Sequence, residues 1–353
     1  MTDPNGSQKA SDPKLSICIA TYNRGRFIGD TLGSVLSEPA QEVEIIVVDG
    51  ASQDNTAEVV ERYASTCSQI RYFREQANSG VDVDYDKAIG YATGNYCWLL
   101  TDDDLLRPGA LSRVFALLDG TRDLIIANGE IKNADLSKVL ARRALGFEND
   151  REYRVGEAGR LFSEIGNYLS FIGGFIVKRE FWMTRDRASF YGTLFVHVAV
   201  AFQHPAVQRA YVISDPLITI RYGNAMWSLR GFEIWMFKWP RLIWSFNDFS
   251  VNEKSNVCSN QPWKHIRKLV YYRGIGAYSI NEYRRFYPAQ ASAPLRLLAF
   301  MIALAPGWLS NFVASLYCIV FNRKTLVSIY DLSRSPHSTW IGRLGIRYLE
   351  ADT

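Results

Sequence analysis

Three short apolar runs, each closed by a polar cluster, constrain this fold more than any other feature. Leu15 to Ala20 (LSICIA), Val43 to Val48 (VEIIVV) and Asn95 to Leu100 (NYCWLL) lack polar alternation. Such runs read as strands buried on both faces. Between the first two, Phe27, Ile28, Leu32, Val35 and Leu36 recur at helical spacing up to Pro39. Asp54 can cap a helix carrying Val59, Val60 and Tyr63. A third strand is expected from Ile70 to Phe73, and a helix from Asp82 to Thr93. Strand and helix alternating at this spacing predict an α/β fold: a Rossmann-like, mostly parallel sheet with helices on both faces. Ligands bind at the carboxyl ends of such strands. The polar clusters fall there: Thr21 to Arg24, Asp49, and the triplet Asp102, Asp103 and Asp104.

A further strand, Asp123 to Asn128, completes a first half over residues 14–130. The charged segment from Leu136 to Gly159 reads as a loop, followed by a helix (Leu161 to Leu169) and a strand (Phe171 to Val177). A second half is expected over 131–250. Trp227, Trp235, Trp239 and Trp244 there recur at roughly helical spacing, which favours core or membrane-facing positions over a saccharide groove. A helical C-terminal region follows over 251–353.

Within that region, Leu295 to Phe321 is almost uncharged and is broken by Pro306-Gly307 into pieces too short to span a bilayer. Arg284 and Arg285 precede it, and Arg323 and Lys324 follow. Two readings stand: a membrane-associating interfacial or re-entrant anchor over 295–321, and a buried helical hairpin. The net charge of +4 is too small to argue for nucleic acid. Beyond residue 260, however, basic residues outnumber acidic ones three to one. The scattered cysteines Cys18, Cys67, Cys97, Cys258 and Cys318 form no C-x-x-C pair, so free thiols are expected and a zinc site is not. Residues 1–13 are polar, without the apolar stretch of a secretory signal, and read as a disordered leader on a protein kept in the cytoplasm.

Adjacent carboxylates at a strand end repel one another unless a positive charge sits among them. Asp102, Asp103 and Asp104 therefore suit a hard divalent cation, Mg²⁺ or Mn²⁺, bridging diphosphate oxygens. The simpler alternative is an N-cap with first-turn acids ahead of Leu105 and Leu106. Asp49 can accept hydrogen bonds from a base or ribose, or cap its own turn. Tyr22 beside Thr21 can stack on a pyrimidine, Arg24 can reach a phosphate, and Asp82 and Asp84 can approach the same pocket. Neither GxGxxG nor GxxxxGK[ST] occurs.

The segments CIATYNR, VVDGASQDNT, ANSG and ATGNYCWLLTDDDLLRPGAL, in this order, resemble glycosyltransferase family 2 of the GT-A fold. With GNYCW, IGGFIVKREFW and FYGTLFVHV, the chain is similar to abequosyltransferase-like enzymes of O-antigen and lipopolysaccharide synthesis. The resemblance implies that Thr21, Tyr22 and Asp49 hold base and ribose, that Asp102 contacts ribose or sugar, and that Asp103 and Asp104 bind the metal. It implies a CDP-, UDP-, GDP- or dTDP-sugar donor and transfer of a hexose or deoxyhexose. The acceptor is expected to be a polyprenyl-diphosphate-linked or other lipid-linked saccharide at the cytoplasmic face of the inner membrane. Many relatives carry a Glu-Asp pair whose Asp is the general base; here Tyr191 to His197 holds none. His197 is the replacement expected from side-chain chemistry, or else a hydrogen-bonded core histidine. Asp186 and Glu180 stand in reserve. A nucleotidyltransferase, which would bring a glycine-rich basic loop, and a non-catalytic sugar-nucleotide-binding scaffold are the competing readings.

Overall fold

The computed structural model describes residues 13–38, 40–224, 230–321 and 326–350. Residues 1–12 of the expected leader lie outside the described residues, as do Trp227, Arg323 and Lys324. The chain divides into two compact units. The first comprises residues up to Gly129, Leu145–Leu161 and Tyr168–Ile220; the second comprises Glu130–Ala144, Phe162–Asn167 and the chain from Arg221 onward. In this division most of 145–220 belongs with the first unit.

In the first unit the chain runs β1 (Leu15–Thr21), α1 (Ile28–Leu36), β2 (Val43–Asp49), α2 (Thr56–Thr66), β3 (Ile70–Arg74), α3 (Val81–Tyr91) and β4 (Tyr96–Leu100). β5 (Leu105–Leu106), α4 (Ala110–Phe115), β6 (Leu124–Lys132), β7 (Val139–Ala141) and β8 (Arg151–Tyr153) come next; of these, the end of β6 and all of β7 fall in the second unit. Then follow α5 (Ala158–Ile165), β9 (Phe175–Lys178), α6 (Arg179–Met183), α7 (Val196–Phe202) and β10 (Ala210–Arg221). The sheet order is β3-β2-β1-β4-β9-β6-β10-β5, with β7 on β6 and β8 on β10.

β1 pairs in parallel with β2 and β4, and β2 with β3. β9 pairs antiparallel with both β4 and β6, and β10 antiparallel with β5 and β8. The sheet is therefore mixed, where a mostly parallel one was expected. An apolar run buried on both faces looks the same in either direction, so only the three helical crossovers fixed direction in advance. The expected loop at 136–159 holds the short strands β7 and β8. On one face, Ile17, Ile19, Ile45, Val47 and Leu100 pack against Leu32, Val35, Val59 and Val60 of α1 and α2.

One buried carboxylate binds the parallel half together. Glu44 on β2 accepts from Ser16 Oγ at 2.6 Å, Thr93 N at 2.5 Å, Thr93 Oγ1 at 2.8 Å and Arg71 at 2.9 Å. The turn before β4 passes so close that a Cβ on Gly94 would lie 2.6 Å from Ser16 Oγ. Burial pushes the Glu44 carboxyl pKa up, but the hydrogen bonds from Ser16, Thr93 and Arg71 outweigh it and leave it below the ordinary value of 4.5.

Apart from β7 and the end of β6, the second unit is mainly helical. It contains α8 (Gly231–Glu233), α9 (Trp239–Ser245), α10 (Val251–Val257), α11 (Ile266–Ile275), α12 (Ile280–Phe286), α13 (Ala293–Leu304), α14 (Gly307–Phe321), α15 (Leu326–Arg334) and α16 (Trp340–Glu350). One core gathers Phe232, Met236, Trp263, Leu269 and Tyr278; another gathers Ala314, Cys318, Leu326, Ile329 and Leu332. Trp239 is buried and Trp244 donates to the Cys258 carbonyl at 3.1 Å, so these two serve packing.

A carboxyl whose folded pKa is depressed stabilises the fold above its unfolded pKa and loses that contribution as pH falls. Glu44→Gln is expected to cost about 1–3 kcal/mol at pH 7. The difference in Tm between variant and parent should shrink toward pH 4, as followed by circular dichroism.

Candidate active site

The parallel register brings the polar strand ends to one edge. Thr21 pairs with Asp49 and Asp49 with Arg74, while Ile19 pairs with Leu100, two residues before Asp102. The loops leaving β1 and β2 are tied to each other. Asn23 N donates to Ser52 Oγ at 2.8 Å, and Gln53 N donates to Asn23 Oδ1 at 2.7 Å. Arg24 N donates to Thr56 Oγ1 at 2.8 Å, and Gly25 N to Asp54 Oδ2 at 3.0 Å. Asn23 (φ 54°) and Ala51 (φ 64°) hold left-handed backbone here, a conformation that costs energy outside glycine and clusters at functional sites. A Cβ on Gly25 would fall 2.1 Å from Asn55 Oδ1, so only glycine fits.

This lacing fixes the root of Arg24, whose guanidinium reaches the aspartates. Arg24 Nε lies 3.3 Å from Asp102 Oδ1, and a terminal nitrogen lies 3.1 Å from Asp103 Oδ2. Burial, and then repulsion from Asp103, push the Asp102 carboxyl up to about 7 against the opposing pull of Arg24. Two adjacent carboxylates thus meet on one guanidinium. Asp104 is buried and accepts a hydrogen bond from the Thr101 hydroxyl. Among the described residues no three His, Cys, Asp or Glu side chains are arranged to hold a metal. The donor set does not fit a closed protein cage. It does fit a Mg²⁺ or Mn²⁺ carried mainly by phosphate oxygens, with one or two carboxylates from Asp102 and Asp103.

Asp49 is fully buried; its carboxylate accepts from Ser52 N at 2.8 Å and Tyr72 Oη at 2.7 Å. Tyr22 is half-buried beside Thr21. Asp84 is buried near Gly50, where a Cβ would lie 3.0 Å from its Oδ2, and accepts from Ser79 Oγ at 3.0 Å.

Asp82 has backbone partners that its sequence did not suggest. Its carboxylate accepts from Gly192 N and Leu194 N, each at 2.8 Å, and from Val196 N at 3.1 Å. It clamps the segment in which the family resemblance led a Glu-Asp pair to be sought, and in which Leu194 takes φ 73°. One turn along α3, Asp86 accepts from Trp182 Nε1 at 2.7 Å, Arg187 Nε at 3.0 Å and the Tyr191 hydroxyl. Sequence reasoning missed Asp86, although the i, i+4 spacing with Asp82 was the available signal.

His197 is not brought to the site. It is fully buried, Nε2–H donates to the Leu169 carbonyl at 2.7 Å, and its ring meets Phe175 edge-on at 5.4 Å. Burial pushes its pKa down to about 4, so it stays neutral at working pH without access to an acceptor. This is the core-histidine alternative. Asp186 is exposed, yet it accepts from Ser189 N at 3.2 Å in a turn whose hydrogen bonds hold its pKa below the ordinary value. Glu180 is exposed and pairs with Lys178 at 3.4 Å.

Asp82→Ala is expected to speed amide exchange of Gly192, Leu194 and Val196 by at least about tenfold, because three charge-assisted bonds are lost. A folded histidine with depressed pKa gives stability that is complete above the unfolded value near 6.5 and is lost as pH falls toward about 4. His197→Gln should therefore flatten the decline of Tm over that interval while leaving any pH profile of turnover unchanged between about 5 and 8.

Residues 16–185 match the family model for glycosyl transferase family 2. The chain is 29% identical over 232 residues to the abequosyltransferase RfbV of Salmonella typhimurium, spanning 62% of this chain and 69% of that protein. It is 31% identical over 142 residues to the GalNAc(5)-diNAcBac-PP-undecaprenol beta-1,3-glucosyltransferase of Campylobacter jejuni, which covers 40% of this chain and 45% of that one. Among solved structures, S. aureus TarS superposes with a TM-score of 0.51 at 16% identity, over 96% of this chain and 90% of that chain. That likeness shows a shared GT-A fold. Residues 16–185 thus form a glycosyl transferase family 2 domain, and the chain around it is similar to the abequosyltransferase and the glucosyltransferase named above.

Proposed function

We propose that this protein transfers a hexose or deoxyhexose from a nucleotide-diphosphate sugar to a lipid-linked saccharide at the cytoplasmic face of the inner membrane, during cell-surface polysaccharide synthesis. The observation that carries the reading is the meeting of Thr21, Asp49, Asp102 and Asp103 at one sheet edge, with Arg24 between the two acids. Asp49 and Tyr22 would hold the base and ribose. Arg24 would turn toward the diphosphate, and Asp102 and Asp103 would share a divalent cation. Such a cation supplies neutralisation of the charge that builds on the leaving nucleoside diphosphate. TarS has been solved with UDP-GlcNAc and with UDP, which supports a nucleotide-sugar donor here. The names of the Salmonella and Campylobacter relatives support a deoxyhexose or hexose as the transferred group, and the latter name supports a polyprenyl-linked acceptor.

The intact acidic pair favours this reading over a non-catalytic scaffold, which has no need to hold two adjacent carboxylates in a buried site. Asp103→Asn is expected to lower turnover at least about a hundredfold, with Tm changed little, because it removes charge where the transition state needs it. Thermal shift against CDP, UDP, GDP and dTDP, with and without Mn²⁺, is expected to show one nucleotide raising Tm more with metal than without. Full activity in Asp103→Asn would exclude the metal role. Absence of any nucleotide shift would favour the scaffold.

A further inference from the structure

In α13 and α14 of the helical unit, most large apolar side chains point outward and mainly small or polar ones inward. α14 buries Gly307, Ser310, Asn311, Ala314, Ser315 and Cys318. It exposes Trp308 (58%), Leu309, Val313, Leu316, Val320 and Phe321 (75%). α13 buries Ala299, Ile302 and Ala303 and exposes Leu297, Leu298, Met301 and Leu304. A helix packed for water shows the opposite pattern. The inward face is not a packing fault, because Asn311 is fully buried and satisfied. Its amide donates to the carbonyls of Gly274 at 3.2 Å and Leu332 at 2.9 Å, and its Oδ1 accepts from Thr339 N at 3.1 Å.

α16 rests on α14 through glycines. A Cβ on Gly342 would lie 3.1 Å from Ser315 Oγ, and one on Gly345 would lie 2.7 Å from Ile319 Cδ1. Trp340 and Leu344 remain exposed. Small residues at the contacts and large apolar ones outside are how helices pack when their surroundings are hydrocarbon. Apolar surface of this extent marks an interaction face.

We propose that α13, α14 and α16 form a docking surface that lies in the headgroup–acyl boundary of an anionic phospholipid bilayer. Among the described residues no single helix is long and apolar enough to cross a membrane, and α13 and α14 meet at a bend of 107°. In the proposed arrangement the surface lies in the membrane plane. Charge selects the partner. Between residues 293 and 346 the sole acid in the sequence is Asp331, which accepts from Tyr222 at 2.8 Å and Tyr271 at 2.7 Å. Arg296 and Arg343 are exposed beside Leu297 and Leu344, and Arg267 donates to Tyr317 of α14 at 3.0 Å. An arginine and tryptophan fringe matches anionic headgroups. A second copy of the same face would set arginine against arginine. The inference goes beyond the reaction proposed above and does not depend on it.

The test is flotation of the purified full chain with vesicles of equal parts phosphatidylglycerol and phosphatidylcholine, and with phosphatidylcholine alone. The protein is expected to float with the mixed vesicles, less with phosphatidylcholine alone, and less as salt is raised. The triple variant Leu304→Ser, Trp308→Ser and Leu316→Ser is expected to lose roughly tenfold or more of the partition at unchanged Tm. If that variant melts early, Arg296→Gln with Arg343→Gln serves instead, with reduced salt dependence expected. A parent that stays unbound overturns the proposal, and so does a triple variant that melts like the parent and floats as well. Equal binding to both vesicle types overturns the choice of anionic lipid. A dimer in sedimentation that the triple variant dissolves, without vesicle binding by the parent, would assign the face to a second copy.

Discussion

The active edge depends on the hydrogen bonds between the loops that leave β1 and β2. Strand pairing alone carries Thr21 and Asp49 to the same level, but it says nothing about where the chain goes next. The bonds from Asn23, Arg24 and Gly25 to Ser52, Thr56 and Asp54 fix that path. They hold two non-glycine residues in left-handed backbone. They also set the base of a long arginine side chain, so that its far end meets two aspartates that would otherwise repel each other. The site's electrostatics thus begin with neutral backbone amides well away from the charges.

A second constraint works at the other end of the parallel strands. Glu44 is a buried charge made tolerable by multiple donors, and it joins β1, β2 and the turn into β4. Breaking such a group is costly because the remaining donors lose their acceptor together. With one end held by Glu44 and the other by the laced loops, the parallel strands have little freedom to slide in register. That rigidity keeps Asp102 level with Thr21.

Much of this was legible in the sequence, for a definite reason. Apart from Ser16 and Glu44 near their starts, Leu15 to Thr21, Val43 to Asp49 and Tyr96 to Leu100 are apolar strands closed by a polar cluster, so Thr21, Asp49 and Asp102 could be placed with no knowledge of contacts. What could not be read depends on partners distant in sequence. Asp82 looks like any acid near a nucleotide site, yet its acceptors are filled by amides some 110 positions away. His197 is chemically suited to be a base, and only burial shows that it is a core residue. The antiparallel pairing of β9 had no signature in its own residues. In α14, hydropathy counted apolar side chains without showing that the larger ones face outward.

Asp82 and Asp86 sit one helical turn apart on α3 and hold, respectively, the amides of residues 192–196 and the side chains of Trp182, Arg187 and Tyr191. Two fixed anchor points on a rigid helix act as a ruler for the chain stretched between them. An insertion or deletion between Tyr191 and Gly192 would force one anchor to let go, even if every remaining side chain were kept. This stretch can therefore change its residues far more readily than its length, and variation in its chemistry is confined to substitution.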